Sequence, residues 1–454
     1  MFKVIDTKGN KIPATITEGE VAFGYELPKD QFRQPYFYKK VYVTLEVEAV
    51  PSFGWKTYAL VEEQGSPERE QEKESLFIKP NKIENKYFIM EVKEDGSLTI
   101  THKESQAIFT DLCVYEDTGD IGNEYVYKQP IGDIPITTKN IKAKIEVKED
   151  TPYRAVLEIK HTLFIPEEAD QRLEEEIQTL IEFRHRKAQR SAKQIPLEIT
   201  TLLTIERESK GIKVQTIFEN KAKDHRLRVL FPTGINTSHH YADSIFEVVK
   251  RENIPSTAWE NPSNAQHQQA FVNVHDENQG LTIANKGLYE YEILRDSRNT
   301  IALTLLRGVR ELGDWGVFLT PEAQCLGVHT VAFEIIPHGR ESSMHDSYRE
   351  AYQFQVPWSI KQIKVQSGDL DPDYGLFSFS GEGVIHSSLK VSEETQDIIV
   401  RWYNICLEEK KLWMDVPFSM YQSNILEEKM EDILDKEILL GPAEIRTIGF
   451  KKEK

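Results

Sequence analysis

An all-β fold is what this chain of 454 residues predicts. Val41, Val43, Leu45 and Val47 alternate with Tyr42, Thr44 and Glu46, the period of a strand with one buried face. From Leu76 to about Arg340, short runs rich in β-branched and aromatic residues recur between turn signals such as Glu94-Asp95-Gly96-Ser97, Lys210-Gly211 and Asn285-Lys286-Gly287. Helical spacing is confined to a single departure after Pro166, where Leu173, Ile177, Leu180 and Ile181 recur among Glu and Arg residues. A short helix and an irregular excursion on a long connection fit that segment equally well.

Length alone suggests about three domains, and the pattern divides accordingly. Residues 1–63 open with Phe2-Lys3-Val4-Ile5, turn at Lys8-Gly9-Asn10 and reach the alternating strand before Pro51, which predicts a small β-sandwich domain. Gln64–Ser75 is polar, charged and broken by Gly65 and Pro67, so it reads as a linker or solvated loop. Residues 76–345 form a large β-domain with its best strands at Val156–Ile165, Ile212–Phe218, Val229–Phe231, Phe271–Val274 and Ile301–Leu306. Residues 346–454 shift in composition through Pro357-Trp358 to strands at Leu376–Phe379, Ile398–Cys406 and Ile445–Phe450, a closing β-sandwich. Ile425–Leu434 carries some helix formers and reads as a connection.

Lys+Arg 56 against Asp+Glu 74 gives a net charge of -18, which repels nucleic acid and anionic lipid over most of the surface. No apolar run approaches the roughly 20 residues that span a bilayer, and no apolar core follows Met1. The chain therefore reads as cytoplasmic, with neither nucleic acid nor membrane as partner. Cys113, Cys325 and Cys406 are sparse, odd in number and set among apolar residues, which predicts reduced, buried thiols.

One stretch stands out. Tyr115–Pro130 reads Y-E-D-T-G-D-I-G-N-E-Y-V-Y-K-Q-P and holds four acids, two glycines and three tyrosines between strand-like sequences. Such a loop belongs at the rim of a sheet, where rigid scaffolds present binding groups. Asp117 and Asp120 can accept from hydroxyls, while Tyr125 and Tyr127 offer flat faces for a sugar. An exposed acidic turn with tyrosines packed on the sheet fits the composition as well. A calcium loop would need alternating acids, whereas these fall at Asp117, Asp120 and Glu124.

Catalytic motifs are missing. No CxxC, HExxH, nucleophile elbow or glycine-rich phosphate loop occurs. His239 and His240 are adjacent, and neighbouring strand residues point to opposite faces, so the pair is not read as one metal site. His329 and His338 read as satisfied histidines in or beside a strand. Glycoside hydrolysis needs two carboxyl groups about 5–9.5 Å apart, and among 74 acids no pair is marked.

Several stretches in order resemble the C-terminal portion of glycoside hydrolase family 38 α-mannosidases, especially bacterial members. They include Ile83–Phe88, Asp95–Leu98, Asp117–Tyr127, Asn220–Arg228 (N-K-A-K-D-H-R-L-R), Gly287–Tyr291, Thr304–Val309, Ala323–His329 and Ile336–His338. The resemblance implies a galactose-mutarotase-like supersandwich flanked by two smaller β-sandwich domains. It also implies a catalytic half that precedes this region and carries the aspartate nucleophile and the zinc ligands. Zinc is thus expected for the whole enzyme with no ligand here, because His239-His240 is followed by Tyr241 rather than by the family's aspartate.

On this resemblance the chain supplies no catalytic residue. It completes and stabilises the site for terminal α-linked mannose, with Tyr125 matching the tyrosine that contacts the sugar and Asp117 and Asp120 accepting from its hydroxyls. Arg307 is expected to pair with a buried acid. The expected partners are an α-mannoside, the catalytic half and a possible second copy. The alternative is a stand-alone carbohydrate-binding module on the same scaffold; an epimerase would need an acid and a base converging in one cleft, which nothing marks.

Overall fold

The computed structural model describes residues 2–62, 75–254, 265–313, 316–340 and 344–451. Apart from Ser75, the proposed linker Gln64–Ser75 lies outside them. The chain forms two compact units, one of residues 74–359 with 404–408, the other of residues 1–73, 360–403 and 409–454.

The larger unit is built from antiparallel sheets, as the alternating sequence demands. A nine-stranded sheet runs Lys144–Asp150, Arg154–Pro166, Gln194–Glu206, Ile212–Asn220, Gly327–His338, Gly280–Asn285, Phe271–His275, His239–Asp243, Val248–Glu252. A six-stranded sheet runs Ile136–Thr137, Val114–Gly119, His225–Phe231, Ile301–Arg307, Glu290–Ile293, Gln266–His267. Their inner faces share one core, to which Leu203, Val214 and Phe333 come from the first sheet and Leu227, Val229 and Leu303 from the second. Tyr115 ties them together, its hydroxyl lying 2.7 Å from both Thr201 Oγ1 and Thr216 Oγ1 across the core. Phe88, Met90, Leu98 and Ile100 of a five-stranded sheet extend the same core.

The ambiguous segment after Pro166 is helical over Gln171–Gln178, with Leu173 and Ile177 buried. Leu180 and Ile181 are exposed because the helix has already ended, with Leu180 at φ 58°. A second helix, Met344–Gln355, has no counterpart in the sequence reading. It buries Ser347, Tyr348 and Ala351, stacking Tyr348 on Phe271 at 4.3 Å between ring centroids. Composition alone draws a boundary at 346, whereas this helix packs within the larger unit.

In the smaller unit, a five-stranded sheet containing Ile398–Asn404 and Ile445–Phe450 shares a core with a three-stranded sheet containing Lys410–Asp415. Val400, Trp402, Leu412, Met414, Ile448 and Phe450 fill it, and Phe53 from the N-terminal stretch stacks on Phe377. Part of Ile425–Leu434 is not a connection but the strand Lys429–Ile433. The N-terminal stretch also contributes a long hairpin, Ala14–Glu26 against Gln34–Leu45, paired to no other strand among the described residues. Tyr36 and Tyr38 lie over Gly24, whose missing side chain leaves room for their rings. Cys113 is buried as expected, whereas Cys325 and Cys406 are only half-buried.

Candidate functional site

The strand Val114–Gly119 runs between Ile136–Thr137 and His225–Phe231, and the acidic loop leaves from its end. Local chemistry shapes the loop first. Asp120 Oδ1 accepts from Gly122 N at 2.8 Å and Lys128 N at 3.1 Å, while Asn123 Oδ1 accepts from Tyr125 N at 3.0 Å and Val126 N at 2.9 Å. Two short polar side chains thus replace the ladder that the sheet no longer provides. Ile121 anchors the loop from below, buried with Leu173 and Ile177 of the helix and with Ala169 and Ala188.

Long-range charges then close the loop. Arg307 Nε donates to Asp120 Oδ2 at 2.6 Å, and the same guanidinium donates to the carbonyls of Asn123 and Glu124. This is the buried pairing expected of Arg307. Asp117 receives Arg190 on Oδ1 and has His225 Nδ1 2.6 Å from Oδ2. Arg186, paired with Glu311, donates to the carbonyls of Ile121 at 3.0 Å and Gly122 at 2.7 Å. Asp224 accepts the loop's Asp120 N through its own carbonyl at 2.8 Å, and its carboxylate is held by Arg310 and Gln324.

The sequence-predicted residues separate. Asp117 and Asp120 are 0% and 1% exposed, and their oxygens are occupied by protein donors. The expectation that both accept from sugar hydroxyls is corrected accordingly: both shape the loop from inside. Burial pushes the Asp120 carboxyl above its ordinary value, with Arg307 opposing. Tyr127 is also captured, its hydroxyl donating to Thr118 at 2.9 Å and its ring covered by the Arg226 guanidinium 3.4 Å from the centroid. Tyr125 alone of the four is exposed, at 67%, and its hydroxyl has no partner among the described residues.

The missed residues are the cations: Arg186, Arg190, Arg226 and Arg310. No local pattern joins them to the loop, since Arg190 bonds an acid 73 positions away and Arg307 one 187 positions away. A partial signal was the run Asn220–Arg228, which delivers Asn220, Asp224, His225 and Arg226 to this region.

Among the described residues no group of three or more His, Cys, Asp and Glu is arranged to hold a metal ion. His240 lies 2.9 Å from Asn253 Oδ1 and 2.7 Å from the Tyr291 hydroxyl, and burial pulls its pKa down to about 4. His239 lies on the opposite side of the strand with Ser238. With these separate partners the two histidines are not placed to share a zinc ion. No helix of the described residues is long and apolar enough to cross a membrane.

Three family profiles match in succession: the glycosyl hydrolases family 38 C-terminal domain 1 over residues 1–62, the family 38 C-terminal domain over 83–311, and the family 38 C-terminal beta sandwich domain over 383–448. The chain belongs to glycosyl hydrolase family 38. A family 38 relative in Halalkalibacterium halodurans, provisionally named a mannosylglycerate hydrolase, is 38% identical over 97% of this chain and 49% of its own length. An α-mannosidase of Enterococcus faecalis V583 has a solved structure that superposes with a TM-score of 0.92 at 42% identity, over 99% of this chain and 51% of that one. A second E. faecalis family 38 structure gives 0.89 at 41% identity. The chain thus spans about half the length of these relatives and corresponds to the C-terminal portion of family 38 proteins. The all-β reading holds, and the comparisons do not favour a stand-alone binding module.

Proposed function

We propose that this chain is the non-catalytic C-terminal portion of a retaining α-mannosidase, one that removes terminal α-linked mannose when joined to its catalytic half. The supporting observation is the match of nearly the whole chain to half of the E. faecalis α-mannosidase. On this reading the nucleophile, the acid/base and the zinc all belong to the half this chain does not span. The chain's contribution is a rigid wall. Arg307 and Arg186 hold carbonyls of the loop backbone and Arg190 holds the Asp117 carboxylate at its base, so the exposed Tyr125 ring is presented to the sugar in a fixed position without an ordering cost at binding. The whole assembly would work in the cytoplasm.

Hydrolysis of an aryl α-mannoside by this chain alone, by the catalytic half alone and by their mixture, each with zinc, tests the proposal. Activity only in the mixture is the expected result. Activity from this chain alone would overturn it, as would a catalytic half whose turnover and stability ignore the addition.

A further inference from the structure

The hairpin Ala14–Glu26/Gln34–Leu45 carries different chemistry on its two sides. One side bears Tyr36 and Tyr38, packed over Gly24, and Glu26, which holds Lys364 Nζ at 3.0 Å. The other bears Val21, Phe23 and Phe37, which are 65%, 60% and 77% exposed. Phe23 lies opposite Phe37 with the two rings 5.7 Å apart, edge to face, and Lys39, opposite Val21, is paired with Glu18 at 2.5 Å. An aromatic pair rimmed by charges that are already matched has the anatomy of an interface, apolar at the centre and polar at the edge. A two-stranded sheet is also marginal in water unless it packs on something.

We propose that the Val21, Phe23 and Phe37 face docks the half of the protein that precedes this chain, through an apolar surface of that half. This rests on the reading above that such a half is joined here. Connectivity selects the occupant. The E. faecalis α-mannosidase structure matches over 99% of this chain and 51% of its own length, and the family's C-terminal domain 1 profile matches from residue 1. In the relatives, a half about as long again therefore comes before this region. Register fixes where that half arrives. Val4 lies opposite Ile12, and the same antiparallel register carried two residues further sets Phe2 opposite Ala14, the first residue of the hairpin. The strands Phe2–Ile5 and Ala14–Glu26 are in contact, so the joint lies at the hairpin's base. A half of that length is on the order of 50 Å across, and a strand of 13 residues is about 40 Å long. The joined half is thus within reach of the whole arm, at an effective concentration on the order of millimolar. A second copy of the chain has no such advantage.

The joined polypeptide, with a protease site placed at the joint, tests this. After cutting, the two wild-type halves should stay together on size exclusion at micromolar concentration. Phe23→Ser/Phe37→Ser should raise their dissociation constant about 100-fold, as loss of a central aromatic pair does, and Phe23→Leu/Phe37→Leu, which keeps the face apolar, should raise it less. Both rings are exposed, so the circular dichroism of this chain should be unchanged. Hydroxyl-radical labelling gives a second reading: Phe23 and Phe37 should be protected in the joined protein and open in this chain by itself. Rings labelled equally in both overturn the proposal, and so do halves whose affinity ignores the double change to serine. Rings that become protected when this chain alone is concentrated put a second copy on the face and overturn it as well. None of these readouts uses mannoside hydrolysis. A joined protein that protects the rings yet cleaves no α-mannoside would therefore defeat the proposed activity and leave this surface standing.

Discussion

Arg307 Nε meets Asp120 Oδ2 at 2.6 Å, joining a strand of the six-stranded sheet to a carboxylate that solvent does not reach. The other oxygen of that carboxylate already carries two backbone amides. Removing the cation strands a buried charge, whereas removing the charge leaves Arg307 its two carbonyl acceptors. Arg307→Met should therefore lower stability by about 3–5 kcal/mol, and Asp120→Asn by clearly less. Urea unfolding of both variants checks the order; equal losses would mean that the ion pair is not what closes the loop.

Gly122 tests the loop backbone separately from its charges. A Cβ there would collide with the Val126 carbonyl oxygen and stand 2.9 Å from Asp120 Oδ1 and from Lys128 N. None of these atoms belongs to a flexible chain end, so the backbone has to move. Gly122→Ala should cost about 1–3 kcal/mol and raise hydrogen exchange at Ile121, whose amide donates to Lys128 O at 2.8 Å. Unchanged exchange there would show that the loop tolerates more than this packing allows.

Glu334 predicts a pH dependence. Its carboxyl, 1% exposed on the strand Gly327–His338, is pushed up to about 8 by burial and by Glu350 of the facing helix, with Glu206 adding to the rise and Lys213 and Lys286 opposing. Between the ordinary glutamate value near ~4.3 and about 8, the folded chain keeps a proton that the unfolded chain has released. Stability from this group is therefore present at low pH and is lost as pH rises through that window. Glu334→Gln should flatten the slope and leave the variant more stable at about pH 8 by a few kcal/mol. Unfolding free energies of both proteins across the window check it; parallel curves would remove Glu334 as the source.

Legibility followed distance along the chain. Ile445–Phe450 and Ile301–Arg307 were readable because β-branched residues between turns depend on neighbours two positions away. The helix Gln171–Gln178 was half readable, since Leu173 and Ile177 keep helical spacing but Leu180 and Ile181 continue it past the end. Met344–Gln355 escaped because its packing residues Ser347, Tyr348 and Ala351 form no conspicuous apolar stripe. At the loop, the acids were visible and their cations were not. Asp117 written beside Tyr125 looks like an open acceptor, and only the tertiary arrival of Arg190 and His225 shows that it is spent.

Tyr125 carries the last prediction. Its backbone amide is fixed by Asn123 Oδ1 at 3.0 Å, so the ring's base is rigid while the ring itself stands in solvent. Because the side chain is mostly exposed, Tyr125→Ala should leave the unfolding free energy within the roughly 0.5 kcal/mol typical of surface changes. If the proposed function holds and the ring faces the bound sugar, the same change in the chain joined to its catalytic half should lower kcat/KM about tenfold, equivalent to about 1.4 kcal/mol of lost transition-state stabilisation. Tyr125→Phe separates the two contacts the residue can make. Retained activity would assign the effect to the ring face, and a loss matching Tyr125→Ala would assign it to the hydroxyl. Arg307→Met provides the contrast, since it should lower stability and activity together. Full activity with Tyr125→Ala would place the sugar away from this loop altogether.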